Sequence, residues 1–122
     1  MSNTQIKLAG IVLLFLIIFV LGYLLSKGGR PYNQLVFTIH KLVTLGTIVL
    51  LASVIIKINR AAPLSTLQLS MVLMMAVCFL ADMVTGGLLS LERAAPEFIH
   101  KLHQAIPYLT IISTAVSLYL LL

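Results

Sequence analysis

Four long apolar runs, separated by short polar turns, constrain this chain more than any other feature of its sequence. The runs cover residues 8–25, 34–58, 67–91 and 97–121. A helix crosses a bilayer with roughly 20 mainly apolar residues, so each run is long enough for one span. Because 61% of the residues are hydrophobic and 9% are charged, the composition is also unlike that of a soluble domain. We therefore predict an all-α integral membrane protein with four transmembrane helices.

The turns between the runs predict how the spans connect. Residues 26–31 combine glycine, proline and positive charge after the first run, Asn33 can cap the second helix, and Pro96 can occupy the first position of the fourth. Such short turns make neighbouring helices antiparallel, which predicts an up-and-down bundle in which residues 1–122 form a single domain. The net charge of +5 comes from single residues beside the runs. This distribution favours membrane-flanking positions over a nucleic-acid surface, and it leaves the orientation open.

An internal repeat relates the two halves of the chain. Residues 39–42 read Ile-His-Lys-Leu, and residues 99–102 read the same four letters. A glycine, a serine and a proline precede the tetrapeptide in each half. The repeat predicts two tandem helical hairpins related by a pseudo-two-fold along the membrane normal.

Four ionisable side chains within the predicted spans are the candidates for function. They are His40, Asp82, His100 and His103, and all four lie in the same half of the bilayer. An ionisable group in hydrocarbon is costly, so by default it indicates a functional site. No phosphate-binding loop, catalytic triad or dinucleotide fingerprint accompanies them, and any catalysis must therefore use a cofactor.

The histidines lie on the second and fourth helices, which are diagonal and parallel in an up-and-down bundle. With neighbouring helices 8–10 Å apart, the diagonal gap is roughly 11–14 Å, enough for a porphyrin between two imidazoles. In this layout, and in its pairing of His40 with His100 or His103, the chain resembles the four-helix b-type membrane cytochromes. The resemblance implies haem b held by two histidine ligands, and electron exchange with quinones or partner redox proteins. A second pair of histidines is missing from the sequence, so at most one haem per chain is expected.

The partner of His40 has two candidates. The tetrapeptide repeat favours His100, whereas spacing from the preceding serine and depth in the membrane favour His103. We expect His103 to be the ligand, because His100 lies near the headgroups, where water or lipid phosphate satisfies an imidazole. Pro107 gives weak support, since it cannot donate a hydrogen bond to the carbonyl of His103.

Lysine and arginine side chains near these histidines have two interpretations. Lys41 and Lys101 follow a histidine directly, and Arg30 and Arg93 lie in the turns on the same side of the membrane. Each can pair with a haem propionate. The alternative is that they extend to lipid phosphate.

Asp82 also has two interpretations. Its carboxylate can accept a hydrogen bond from a ligand imidazole or take a proton from a quinol, and Thr85 shares its helix face. Alternatively, a threonine or tyrosine satisfies Asp82 for purely structural reasons.

Two other functional classes compete with the haem protein. In a metal-binding or proton-relay transporter, the three histidines and Asp82 bind zinc or iron directly or pass protons. In a structural subunit, the short loops and smooth apolar surface serve a larger membrane complex or a homo-oligomer. The expected location in every case is a membrane, with the prokaryotic plasma membrane the first choice.

Overall fold

A computed structural model describes residues 2–29, 32–91 and 96–122, and the regular structure in these segments is α-helical. The helices are α1 (Asn3–Gly28), α2 (Gln34–Ala61), α3 (Thr66–Leu89) and α4 (Glu97–Leu121). Each helix is long and apolar enough to cross a membrane. The predicted helical class and the order of the four apolar helices are confirmed.

Polar capping residues that precede the apolar runs determine where α1 and α3 begin. Ser2 forms a capping box with Gln5. The side-chain oxygen of Gln5 accepts a hydrogen bond from the backbone N–H of Ser2 at 3.0 Å. Ser65 forms the same box with Gln68 at 2.8 Å. Because each box satisfies amides that the first helical turn leaves unpaired, α1 starts at Asn3 rather than at residue 8.

The other two helix starts have different local causes. Asn33 caps α2 as predicted, since its Oδ1 accepts from the amides of Leu35 and Val36 at 3.0 and 3.1 Å. Pro96 precedes α4 instead of occupying its first turn, because its ψ of 147° is extended. The first helical residue is Glu97, whose negative charge suits a helix N-terminus.

The chain divides into two compact units, Met1–Lys57 and Ile58–Leu122. The first contains α1 and most of α2, which meet where His40 lies against Gly22. The second contains α3 and α4, which pack antiparallel. The Gln68 side chain donates to the Leu120 carbonyl at 2.9 Å towards one end, and Thr85 contacts His103 towards the other.

The helices bury small polar residues and expose large apolar ones. Exposed large apolar side chains, most of them aliphatic, occur along every helix. The polar residues that are buried as a whole in the described segments are threonines and serines: Thr47, Thr85, Thr110, Ser113, Thr114 and Ser117. In lipid, the hydrophobic effect does not drive helices together. Small and hydroxyl residues at helix contacts are therefore typical of membrane proteins.

Candidate functional site

His103 lies on α4 and packs its imidazole against α3. Its Nδ1 is 2.8 Å from Oγ1 of Thr85. A β-carbon added at Gly86 would lie 3.0 Å from Cε1 of the ring and 3.5 Å from Nε2. The glycine is therefore what lets the ring lie so close to the α3 backbone.

His40 makes a similar contact in the first unit. A β-carbon at Gly22 would lie 3.4 Å from Cε1 of its ring. The imidazole hydrogen-bonds to the backbone of Ile18, and Nδ1 is buried with no hydrogen-bond partner among the residues that the structure describes. In each unit, a histidine from the second helix thus lies on a glycine of the first.

The shared contact aligns the two hairpins differently from the tetrapeptide repeat. His103, not His100, occupies the position on α4 that corresponds to His40 on α2. His100 is half-buried in the first turn of the helix. The sequence carries a signal for this register, because Gly-x-x-x-Ser occurs at residues 22–26 and again at 86–90.

Asp82 hydrogen-bonds to a threonine on α4. Thr110 Oγ1 lies 2.6 Å from Asp82 Oδ2 and 3.1 Å from the carbonyl of Ile106. The other carboxylate oxygen, Oδ1, is buried and has no partner in the described segments. That Asp82 accepts a hydrogen bond from a ligand imidazole stays a prediction, and Thr85 on the same helix lies within hydrogen-bond distance of the His103 imidazole.

A polar stripe continues along the buried face of α4 from Thr110. Ser113, Thr114 and Ser117 follow at helical spacing, and each is at most 4% exposed. The hydroxyls of Thr114 and Ser117 have no hydrogen-bond partner in the described part of the chain. This stripe was not predicted from the sequence. The signal was the hydroxyl spacing i, i+3, i+4, i+7, which places all four on one helix face.

The two lysines beside the histidine candidates lie at the surface. The ammonium group of Lys101 is 3.9 Å from the carboxylate of Glu97, and both side chains are mostly exposed. The ammonium group of Lys41 lies 4.2 Å from the ring centroid of Phe37. The other two candidate cations, Arg30 and Arg93, fall outside the described residues.

Among residues 2–29, 32–91 and 96–122, no group of three or more histidine, cysteine, aspartate or glutamate side chains is placed to hold a metal ion. Comparisons with protein-family models, with curated proteins and with solved structures found no match to this chain. The chemistry of the side chains is therefore the basis for proposing a function.

The bond between Thr110 and Asp82 is expected to stabilise the pairing of α3 with α4. Thr110→Val should lower the free energy of unfolding by roughly 0.6–2 kcal/mol, because a buried carboxylate loses its hydrogen bond. Thr47→Val is the matched control: Thr47 is equally buried, but its hydroxyl donates within its own helix, to the Val43 carbonyl. Reversible unfolding in mixed detergent micelles measures both variants. Equal losses in the two would contradict a specific role for the Asp82 contact.

Proposed function

We propose that this chain is an integral membrane protein that binds one haem b with His40 and His103 as its iron ligands and carries electrons within the bilayer. The observation that carries the proposal is the pair of matched contacts, in which each unit holds a histidine of its second helix against a glycine of its first. The haem, when bound, supplies one-electron redox chemistry, and the protein supplies the two imidazoles and an apolar surrounding.

The membrane setting is supported by the length and surface of the helices. All four are apolar enough to span a bilayer, and their exposed side chains are mainly large and apolar. The prokaryotic plasma membrane remains the proposed location. A quinone or a partner redox protein within the same membrane is the proposed source or destination of the electrons.

Both imidazoles have features that fit a haem ligand. Thr85 contacts one ring nitrogen of His103, and a contact of this kind fixes the orientation of a ligating imidazole. In His40, a ring nitrogen is buried with no hydrogen-bond partner in the described part of the chain. An unsatisfied buried nitrogen is costly, and an additional ligand would remove that cost.

The charged residues nearby have proposed supporting roles. Lys41 and Lys101 are exposed, so each could pair with a haem propionate without breaking a buried contact. The proposed role of Asp82 is to accept a proton if the electron donor is a quinol. His100 is retained as the alternative ligand.

Titration of the haem-free protein with ferric haem in detergent tests this function. We expect absorbance changes that saturate at one haem per chain and give a low-spin spectrum, as two imidazole ligands require. The His40→Ala, His103→Ala double variant is the control for haem that partitions into micelles. An identical titration curve for the double variant would contradict the proposal.

A second candidate function is proton transfer through Asp82 without haem. It is favoured by one observation: within the described segments, Oδ1 of Asp82 on α3 and the hydroxyls of Thr114 and Ser117 on α4 are buried without a hydrogen-bond partner. In liposomes with an internal pH indicator, the wild type should move protons and Asp82→Asn should not. Flux no greater than that of empty liposomes would rule out this function.

A further inference from the structure

We propose that Thr85 is a positioning residue that holds His103 as the tautomer with a proton on Nδ1 and the lone pair on Nε2. Ligation of haem iron by Nε2 rests on the proposed function. The tautomer itself is a property of the chain, and it can be measured without haem.

The assignment follows from counting protons on the Thr85 hydroxyl. Its oxygen lies 2.8 Å from the Ala81 carbonyl and 3.2 Å from the Asp82 carbonyl, and it lies 2.8 Å from Nδ1 of His103. The two carbonyls can only accept, and the hydroxyl has a single proton to donate. Donation to the Ala81 carbonyl, the usual bond of a helical threonine, leaves lone pairs facing the imidazole. Nδ1 must then be the donor.

Burial and packing keep the ring in this arrangement. Thr85 is only 6% exposed, so water has little access to replace the bond. The ring also packs against Gly86, which has no side chain and so lets Cε1 of His103 lie against α3. Turning the ring over would place a carbon atom against the Thr85 oxygen and lose the hydrogen bond.

The surroundings of His40, in the first unit, differ from those of His103. Thr44 lies one turn from His40, but its hydroxyl donates to the His40 backbone carbonyl at 2.8 Å. No hydroxyl contact to the His40 ring is present among the described residues, where its Nδ1 is unpartnered. Tautomer control by a threonine is therefore expected for His103 and not for His40.

Nitrogen NMR of the haem-free protein in detergent, at a pH where imidazole is neutral, tests the tautomer. Signals from His103 are assigned by their absence in His103→Ala. We expect a protonated Nδ1 and an unprotonated Nε2 in the wild type and in Thr85→Ser. Thr85→Val should shift the population towards the tautomer protonated on Nε2, whereas the control Thr44→Val should leave the His103 signals unchanged.

Two results would overturn the inference: a wild-type His103 protonated mainly on Nε2, or a Thr85→Val spectrum identical to the wild type. The first does not depend on Thr85→Val, so poor folding of that variant does not protect the proposal. In the haem-bound form, Thr85→Val should bind haem about 10–100-fold more weakly, as is typical when the partner of a ligating histidine is removed, and Thr85→Ser should restore binding. Failure of haem to bind any variant, with the expected tautomer present, would refute the proposed function and leave the inference standing.

Discussion

Replacing His103 with alanine is expected to remove haem, whereas His100→Ala should keep it. The reason is that His103 makes the contact with α3 that His40 makes with α1, while His100 lies in the first turn of α4. Loss of an axial ligand should exceed the 10–100-fold loss typical of outer contacts. The haem content of equal amounts of purified protein measures the effect, and His40→Ala should match His103→Ala.

The opposite pattern would contradict this assignment. If His100→Ala lost haem and His103→Ala retained it, the tetrapeptide repeat would identify the ligand and the glycine contact would be structural packing alone. Circular dichroism of each variant provides the control, because all of them should keep their helix content.

Gly86→Ala is expected to have the second largest effect. The added β-carbon would lie 3.0 Å from Cε1 of His103, so the ring must move by a few tenths of an ångström. Overpacking of this kind costs about 1–3 kcal/mol, and each 1.4 kcal/mol lost from binding is tenfold in affinity. We therefore expect haem to bind about tenfold more weakly or worse, as measured by titration of the haem-free variant.

Gly87→Ala is the matched control for this change. The two glycines are neighbours in α3, but a β-carbon at Gly87 would have no atom within 4 Å. Alanine there should leave haem affinity unchanged and favour the helix slightly. Equal haem affinities for Gly86→Ala and Gly87→Ala would mean that the close contact with His103 has no functional importance.

The sequence predicted the helices well because their length and apolarity are local properties. Spans at 34–58 and 97–121 agree with α2 and α4 to within a turn at each end. The predicted span at 8–25 lies within α1, which begins earlier because a cap, not the apolar run, determines where a helix begins. The pseudo-two-fold between the hairpins and the single-domain organisation stay predictions.

The candidate site was predicted less completely, because it depends on how each helix is rotated about its axis. His40, Asp82 and His103 were identified because ionisable groups are rare in apolar helices. The contact of Thr85 could not be assigned, since the largely apolar α3 carries no clear pattern that fixes which face meets its neighbour. For Thr110, the hydroxyl spacing along α4 was a signal that was missed. That Gly86 and not Gly87 lies against the His103 ring can be seen only when that rotation is known.

The optical spectrum of the protein purified from haem-replete cells tests the central claim most directly. After reduction with dithionite, a sharp α-band near the b-type position is expected, and it should be absent from the His40→Ala, His103→Ala double variant. A colourless wild-type protein from such cells would contradict the proposal that this chain is a haem b protein.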